Sequence, residues 1–157
     1  TSQSLRFRRK DWDVAMPDAL VAYWSAWNEP DVERVRGHLE AAVTIGVEWN
    51  DPRDSFTGID ALERAVRQLR TTKPGYSFTI ESEIDHHHGR LRYRWDMSRN
   101  GRTLMEGLDV VTLDRATDLI ARVDGFFGHP TPIDDHSSGV PERFRPREKS
   151  PVVDGAR

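Results

Sequence analysis

The chain has no cysteine, which rules out disulfides, a thiolate nucleophile and cysteine-ligated zinc. It also lacks any apolar run approaching the roughly 20 residues that a membrane-spanning helix needs, and no signal peptide is visible at its start. No glycine-rich phosphate loop, serine nucleophile elbow or metal-spaced histidine and carboxylate cluster is present, so nothing calls for a cofactor or a metal. Charge of one sign is scarce too. A net charge of -3 is too mild to imply a nucleic-acid partner, and the basic cluster Arg6, Arg8, Arg9 and Lys10 is short and near a terminus. The expectation is a cytoplasmic protein, with neither nucleic acid nor membrane as partner.

Against these absences, the chain is rich in tryptophan and charge. Five Trp occur in 157 residues, 31% of which are charged. That length holds one domain with a substantial core. Residues 1–16 mix charge with isolated aromatics and read as an N-terminal arm. Residues 129–157 hold five of the nine prolines and few large apolar groups, the composition of a tail that cannot fold alone. The domain between them is 17–128.

Within that domain, Pro17 and Asp18 open a helix whose Leu20, Tyr23, Trp24 and Trp27 are spaced for one buried face. A second helix is predicted from about Asp31 to Leu39, and a short strand over Thr44–Trp49, stopped by Asn50-Asp51-Pro52. A third helix follows Gly58, with Leu62, Ala65, Val66 and Leu69 on one face and Lys73-Pro74-Gly75 as its stop. Tyr76–Ile84 alternates apolar with polar residues as a half-buried strand, and His86-His87-His88-Gly89 reads as the turn after it. Gly89–Gly128 then forms three antiparallel strands, punctuated at Asn100-Gly101 and around Asp114–Asp118. The element order predicts an α+β cone: a curved mixed sheet with three helices on its concave face and a mouth able to hold a small molecule.

Charged residues recur at period two inside the last strands. Arg92, Arg94 and Asp96 share one face, opposite Leu91, Tyr93, Trp95 and Met97; Ile120, Arg122, Asp124 and Phe126 share one face of the final strand. Such a face is either a solvated sheet surface or the start of a site. As a site it has a chemical logic. Two neighbouring carboxylates in a dry pocket cannot both ionise freely, and an Arg between them splits their pKa values into an acid and a base. Asp109 is a third carboxylate candidate, for the pocket or as a structural partner of Arg122. The histidine run is a weak metal candidate, because adjacent residues point to opposite faces.

VEWNDP, FTGIDALERAV, LRYRW, EGLDVVTLD and RVDGFFG, together with the Trp-rich first helix, resemble the SnoaL-like branch of the nuclear transport factor 2-like superfamily over roughly Pro17–Gly128. The resemblance implies the cone fold, a small mostly apolar substrate and a homodimer. It leaves activity open among ketosteroid isomerases, polyketide cyclases, epoxide hydrolases, dehydratases and non-catalytic members. Arg94-Trp95-Asp96 with Asp124 resembles the Arg-x-Asp and second Asp of limonene epoxide hydrolase and its relatives. That likeness implies Asp96 as acid, Asp124 as base and Arg94 between them. On the first strand the water-holding pair falls on Glu48 and Asn50 in one register, or on Trp49 and Asp51 in the other, as in cyclase-like members. Trp24, Trp27, Asp109, Arg122 and Phe126 complete the expected substrate-binding set. The alternatives are a single-Asp cyclase or isomerase, and a non-catalytic ligand-binding or dimerisation domain.

Overall fold

The structure is a computed structural model, and it describes residues 16–133 and 139–146. The basic cluster and most of the N-terminal arm lie outside the described residues, as does part of the tail. Helix α1 (Asp18–Trp27) starts after Pro17 and buries Leu20, Tyr23, Trp24 and Trp27. The second helix begins later than its hydrophobic spacing suggests. Asp31 caps a single 3-10 turn (Val32–Arg34) by accepting from Glu33 N–H, and α2 (Val35–Ala42) follows. Helix α3 (Ile59–Thr72) follows Gly58, whose φ of 101° suits a residue without Cβ, and it buries Ile59, Leu62, Val66 and Arg70.

Seven strands make the sheet: β1 (Val43–Asn50), β2 (Ser55–Thr57), β3 (Tyr76–Ile80), β4 (Asp85–His87), β5 (Arg90–Arg99), β6 (Arg102–Leu113) and β7 (Ile120–Phe127). Their order is β2-β1-β7-β6-β5-β3, with β4 also paired to β5. All neighbours are antiparallel except β1 and β7, which run parallel. Two strands depart from the sequence reading. The predicted strand over Tyr76–Ile84 is split, with β4 taking His86 and His87 from the expected turn; His88 and Gly89, both at positive φ, make the turn itself. The β2 strand, too short to show a period, forms a hairpin with the end of β1.

Two irregularities bend the sheet. Between Val43↔Ile120 and Glu48↔Arg122, β1 carries four residues against one on β7, and β7 slips by one residue against β6 between Leu113↔Ile120 and Thr112↔Arg122. The slip removes Ile120 from the face of Arg122, Asp124 and Phe126: Ile120 is fully buried, whereas Phe126 is exposed. Helices α1 to α3 cover the concave side, where Leu20, Tyr23, Leu62 and Val66 meet Leu91, Tyr93, Val111 and Val123 in one core. Each fully buried aliphatic side chain contributes about 1.5–3 kcal/mol through lost water contact.

Candidate functional site

A cavity of about 350 Å³ opens between the helices and the concave sheet face. Its composition follows from strand alternation. Tyr93, Trp95 and Met97 point inward from β5, so Arg92, Arg94 and Asp96 must point outward. On β6, Asp109 pairs with Tyr93 on one side and Gly125 on the other, and Gly107 pairs with Trp95 and Phe127. The row Tyr93, Asp109, Gly125 therefore runs from the core, at Tyr93, to the cavity wall, at Asp109 and Gly125. Asn50 pairs with Asp124, which brings the next residue of that chain, Asp51, alongside Gly125.

Asp109 is the site's central charge. It is 4% exposed, and both its oxygens are held: Tyr93 Oη donates to Oδ2 at 3.0 Å and Trp95 Nε1 to Oδ1 at 2.9 Å. Burial pushes its pKa up to about 6; the hydrogen bonds from Trp95 and Tyr93 act against that rise and the Asp51 carboxylate adds to it. Two glycines make this geometry possible. A Cβ on Gly107 would overlap the Trp95 ring, so only glycine lets that indole lie flat across β6 and reach Asp109. A Cβ on Gly125 would sit 3.1 Å from Asp109 Oδ1 and 3.6 Å from Asp51 Cβ. The missing side chain leaves an opening flanked by two carboxylates.

Tryptophans hold the hydroxyls. Trp24 Nε1 donates to Tyr93 Oη at 3.1 Å, which directs the Tyr93 proton to Asp109. Trp49 Nε1 donates to Tyr23 Oη at 2.9 Å. Among the described residues the Tyr23 proton has no acceptor, so this buried hydroxyl is available as a donor at the cavity wall. Burial raises the Tyr23 pKa, the Asp109 carboxylate adds to the rise, and the hydrogen bond from Trp49 lowers it. Burial likewise raises Tyr93 well above the ordinary tyrosine value, again with Asp109 adding to it. Both phenols stay protonated donors.

The residues predicted from sequence divide between the two faces. Trp24, Trp27, Trp49, Asp51 and Asp109 line the cavity, and the first strand adopts the Trp49/Asp51 register. Glu48, Asn50, Arg94, Asp96, Arg122, Asp124 and Phe126 do not line it. Asp96 and Asp124 are not brought together either. Asp96 pairs with Glu106 and Asp124 with Val110, four residues further along β6, a distance of about 13 Å, and they lie on strands either side of it. Arg94 instead contacts His129 at 2.7 and 2.8 Å. Asp96 accepts from Thr103, and its pKa is raised by partial desolvation and by Glu81 and Glu106. Asp124 belongs to an outer cluster in which Arg122 bridges it and Glu48, at 2.7 and 2.6 Å, and Asn50 donates to it at 3.3 Å. Arg122 thus pairs with Asp124 and Glu48, not with Asp109.

The sequence reading missed Tyr93 and Trp95 as the partners of Asp109, and Gly125 as the opening beside it. A conditional signal was present: once the apolar face of β5 is the enclosed one, a carboxylate opposite that face on β6 has only indole and phenol donors to meet.

No protein-family profile matches the chain, and no curated protein does. Solved structures do. A candidate isomerase of the SnoaL-like family from Agrobacterium tumefaciens is 29% identical with a TM-score of 0.65, the match covering 71% of this chain and 95% of that one. A candidate polyketide cyclase from Sinorhizobium meliloti is 16% identical (TM-score 0.56; 76% and 99% covered). A candidate ketosteroid isomerase from Kribbella flavida is 13% identical (TM-score 0.52; 87% and 91% covered). The chain carries the nuclear transport factor 2-like fold, and its neighbours among solved structures are SnoaL-like and nuclear transport factor 2-like proteins.

Proposed function

We propose that the protein is a cofactor-free proton-transfer enzyme acting on a small, mostly apolar carbonyl compound, in the manner of an isomerase or polyketide cyclase. The observation that carries this reading is Asp109, a carboxylate 4% exposed at the cavity wall with a pKa of about 6. A base poised near neutrality combines availability with driving force. Asp109 takes a proton from the carbon next to the carbonyl. The electron pair moves to the carbonyl oxygen, and Tyr23 donates a hydrogen bond to the resulting enolate. Return of the proton to another carbon gives isomerisation; attack of the enolate carbon on a second carbonyl gives ring closure. The names of the Agrobacterium, Sinorhizobium and Kribbella proteins fit both outcomes.

Deuterium exchange into 2-tetralone, followed by NMR, tests the proposal. Wild type should accelerate exchange above buffer, and Asp109→Asn should lose about 10² to 10⁴ of that rate. Equal exchange by both proteins would sink the catalytic role of Asp109 and favour a non-catalytic ligand-binding domain.

Epoxide opening is the second reading, and one observation favours it: Asp51 and Asp109 flank the opening at Gly125. One carboxyl can activate water there while the other protonates the departing oxygen. Asp51 Oδ1 is occupied by the N–H groups of Arg53 and Asp54, each at 2.8 Å, which leaves Oδ2 for that work. Styrene oxide hydrolysis abolished by either Asp51→Asn or Asp109→Asn would support it. We further propose a homodimer over the outer sheet face, where Leu104 and Phe126 are exposed. Sedimentation of only an 18 kDa species would remove it.

A further inference from the structure

The cavity is electrically divided. Asp109 lies deep in it, while only two of its lining side chains are cationic, Arg53 and Lys73, and both are exposed at the rim. Arg53 follows β1 and holds its guanidinium 5.4 Å from the centre of the Phe127 ring; Lys73 follows α3 and holds its ammonium 5.2 Å from that of Tyr76. Both rings also line the cavity. Among the described residues neither cation has a carboxylate within ion-pairing distance, although Asp54 lines the same rim. Several other arginines are engaged, Arg36, Arg67, Arg92 and Arg122 in ion pairs and Arg70 on backbone carbonyls, whereas Arg64, Arg99, Arg102 and Arg115, like Arg53, have no ion pair among the described residues but do not line the cavity. The rim cations are set on aromatic faces instead, which orients them without neutralising them.

We infer that the cavity takes a ligand with a flat apolar body and one anionic end, a carboxylate or an equivalent oxyanion, seated at the rim against Arg53 and Lys73. The flat body lies among the indoles of Trp24, Trp27 and Trp49. The anion points outward, since the deep carboxylate of Asp109 repels it and the planar guanidinium of Arg53 matches a carboxylate with two parallel N–H donors. This inference deepens the proton-transfer reading and rests on it only for the claim that the ligand is a substrate.

Calorimetric titration with 2-naphthoate and its neutral counterpart 2-naphthamide tests the anion site directly. Wild type should bind naphthoate about tenfold more tightly. The Arg53→Gln/Lys73→Gln double variant should lose that preference while keeping its affinity for naphthamide, and Arg122→Gln on the outer face should leave both unchanged. The preference should also shrink with added salt. A preference that survives in the double variant overturns the anion site, as does failure of wild type to bind either probe. Exchange into neutral 2-tetralone needs Asp109 and no anion site. Its absence in a protein that still prefers naphthoate would overturn the proton-transfer reading and leave the anion site standing.

Discussion

Tyr93 and Asp109 lie opposite each other on β5 and β6, and the phenol donates to the carboxylate at 3.0 Å inside the core. Because Trp24 donates to the same phenol oxygen, the Tyr93 proton has one direction to point. Removing the hydroxyl therefore strips Asp109 of one of its two donors and leaves the Trp24 N–H buried without an acceptor. Tyr93→Phe should cost about 1–3 kcal/mol in stability. It should also move the lower limb of the exchange rate against pH upward, since the lost bond was holding the Asp109 pKa down. A destabilised variant with an unmoved pH limb would mean that Tyr93 is structural only.

Asp109 makes a further mark on stability. Its folded pKa of about 6 lies above the ordinary carboxylate value, so the folded state binds the proton more tightly than the unfolded chain. The sign follows: its contribution is fully present below about pH 4, is lost as pH rises through about 6, and amounts to roughly 3 kcal/mol. Asp109→Asn cannot ionise. The difference in denaturation free energy between variant and wild type should therefore move in the variant's favour between pH 4 and 6 and stay flat above. A difference that does not vary with pH would contradict the raised pKa.

Gly107→Ala should act on the cavity through Trp95, which lines it. The added methyl overlaps the Trp95 ring, so the indole must shift and its bond to Asp109 must lengthen or break. Overpacking of this kind costs about 1–3 kcal/mol. Trp95→Phe should reproduce the change in exchange rate without the steric conflict. Agreement between the two would place the effect in the lost hydrogen bond.

Arg70 holds two layers together. From α3 its buried guanidinium reaches the carbonyls of Trp27 at the end of α1 and Glu29 just beyond it, of Pro74 before β3 and of Tyr76 at its start. Arg70→Met should lower stability by about 3 kcal/mol, because four carbonyls lose a charged donor at once. Arg70→Lys should recover only part of that, since an ammonium cannot span the same fork. Urea denaturation of the two variants measures the difference.

The outer carboxylates should behave differently from Asp109. Asp124 sits in a half-exposed cluster with Arg122, and surface ion pairs of this kind contribute less than about 1 kcal/mol. Asp96→Asn and Asp124→Asn should each leave exchange into 2-tetralone within about twofold of wild type. A loss comparable to that of Asp109→Asn would return both residues to the chemistry.

Local pattern determined much of this protein. The face shared by Leu20, Tyr23, Trp24 and Trp27, the stop at Lys73-Pro74-Gly75 and the alternation of Tyr93 and Trp95 against Arg94 and Asp96 all follow from helical and strand periods, which neighbours in sequence express by themselves. Those periods separated the two faces of β5 without saying which one is enclosed. Tertiary structure decided that by laying α1 and α3 over the aromatic face, and so sent Arg94, Asp96 and Asp124 outside. It also placed Trp49 and Asp51 toward the cavity and, through the slip opposite Leu113, took Ile120 off the outer face. Above all it selected Asp109 from the chain's many carboxylates. Its raised pKa comes from burial, with the Asp51 carboxylate adding to the rise and the hydrogen bonds from Trp95 and Tyr93 on the neighbouring strand opposing it, none of which has a signature at short sequence separation. Desolvation is a property of everything packed around a group, so only the assembled fold could set it.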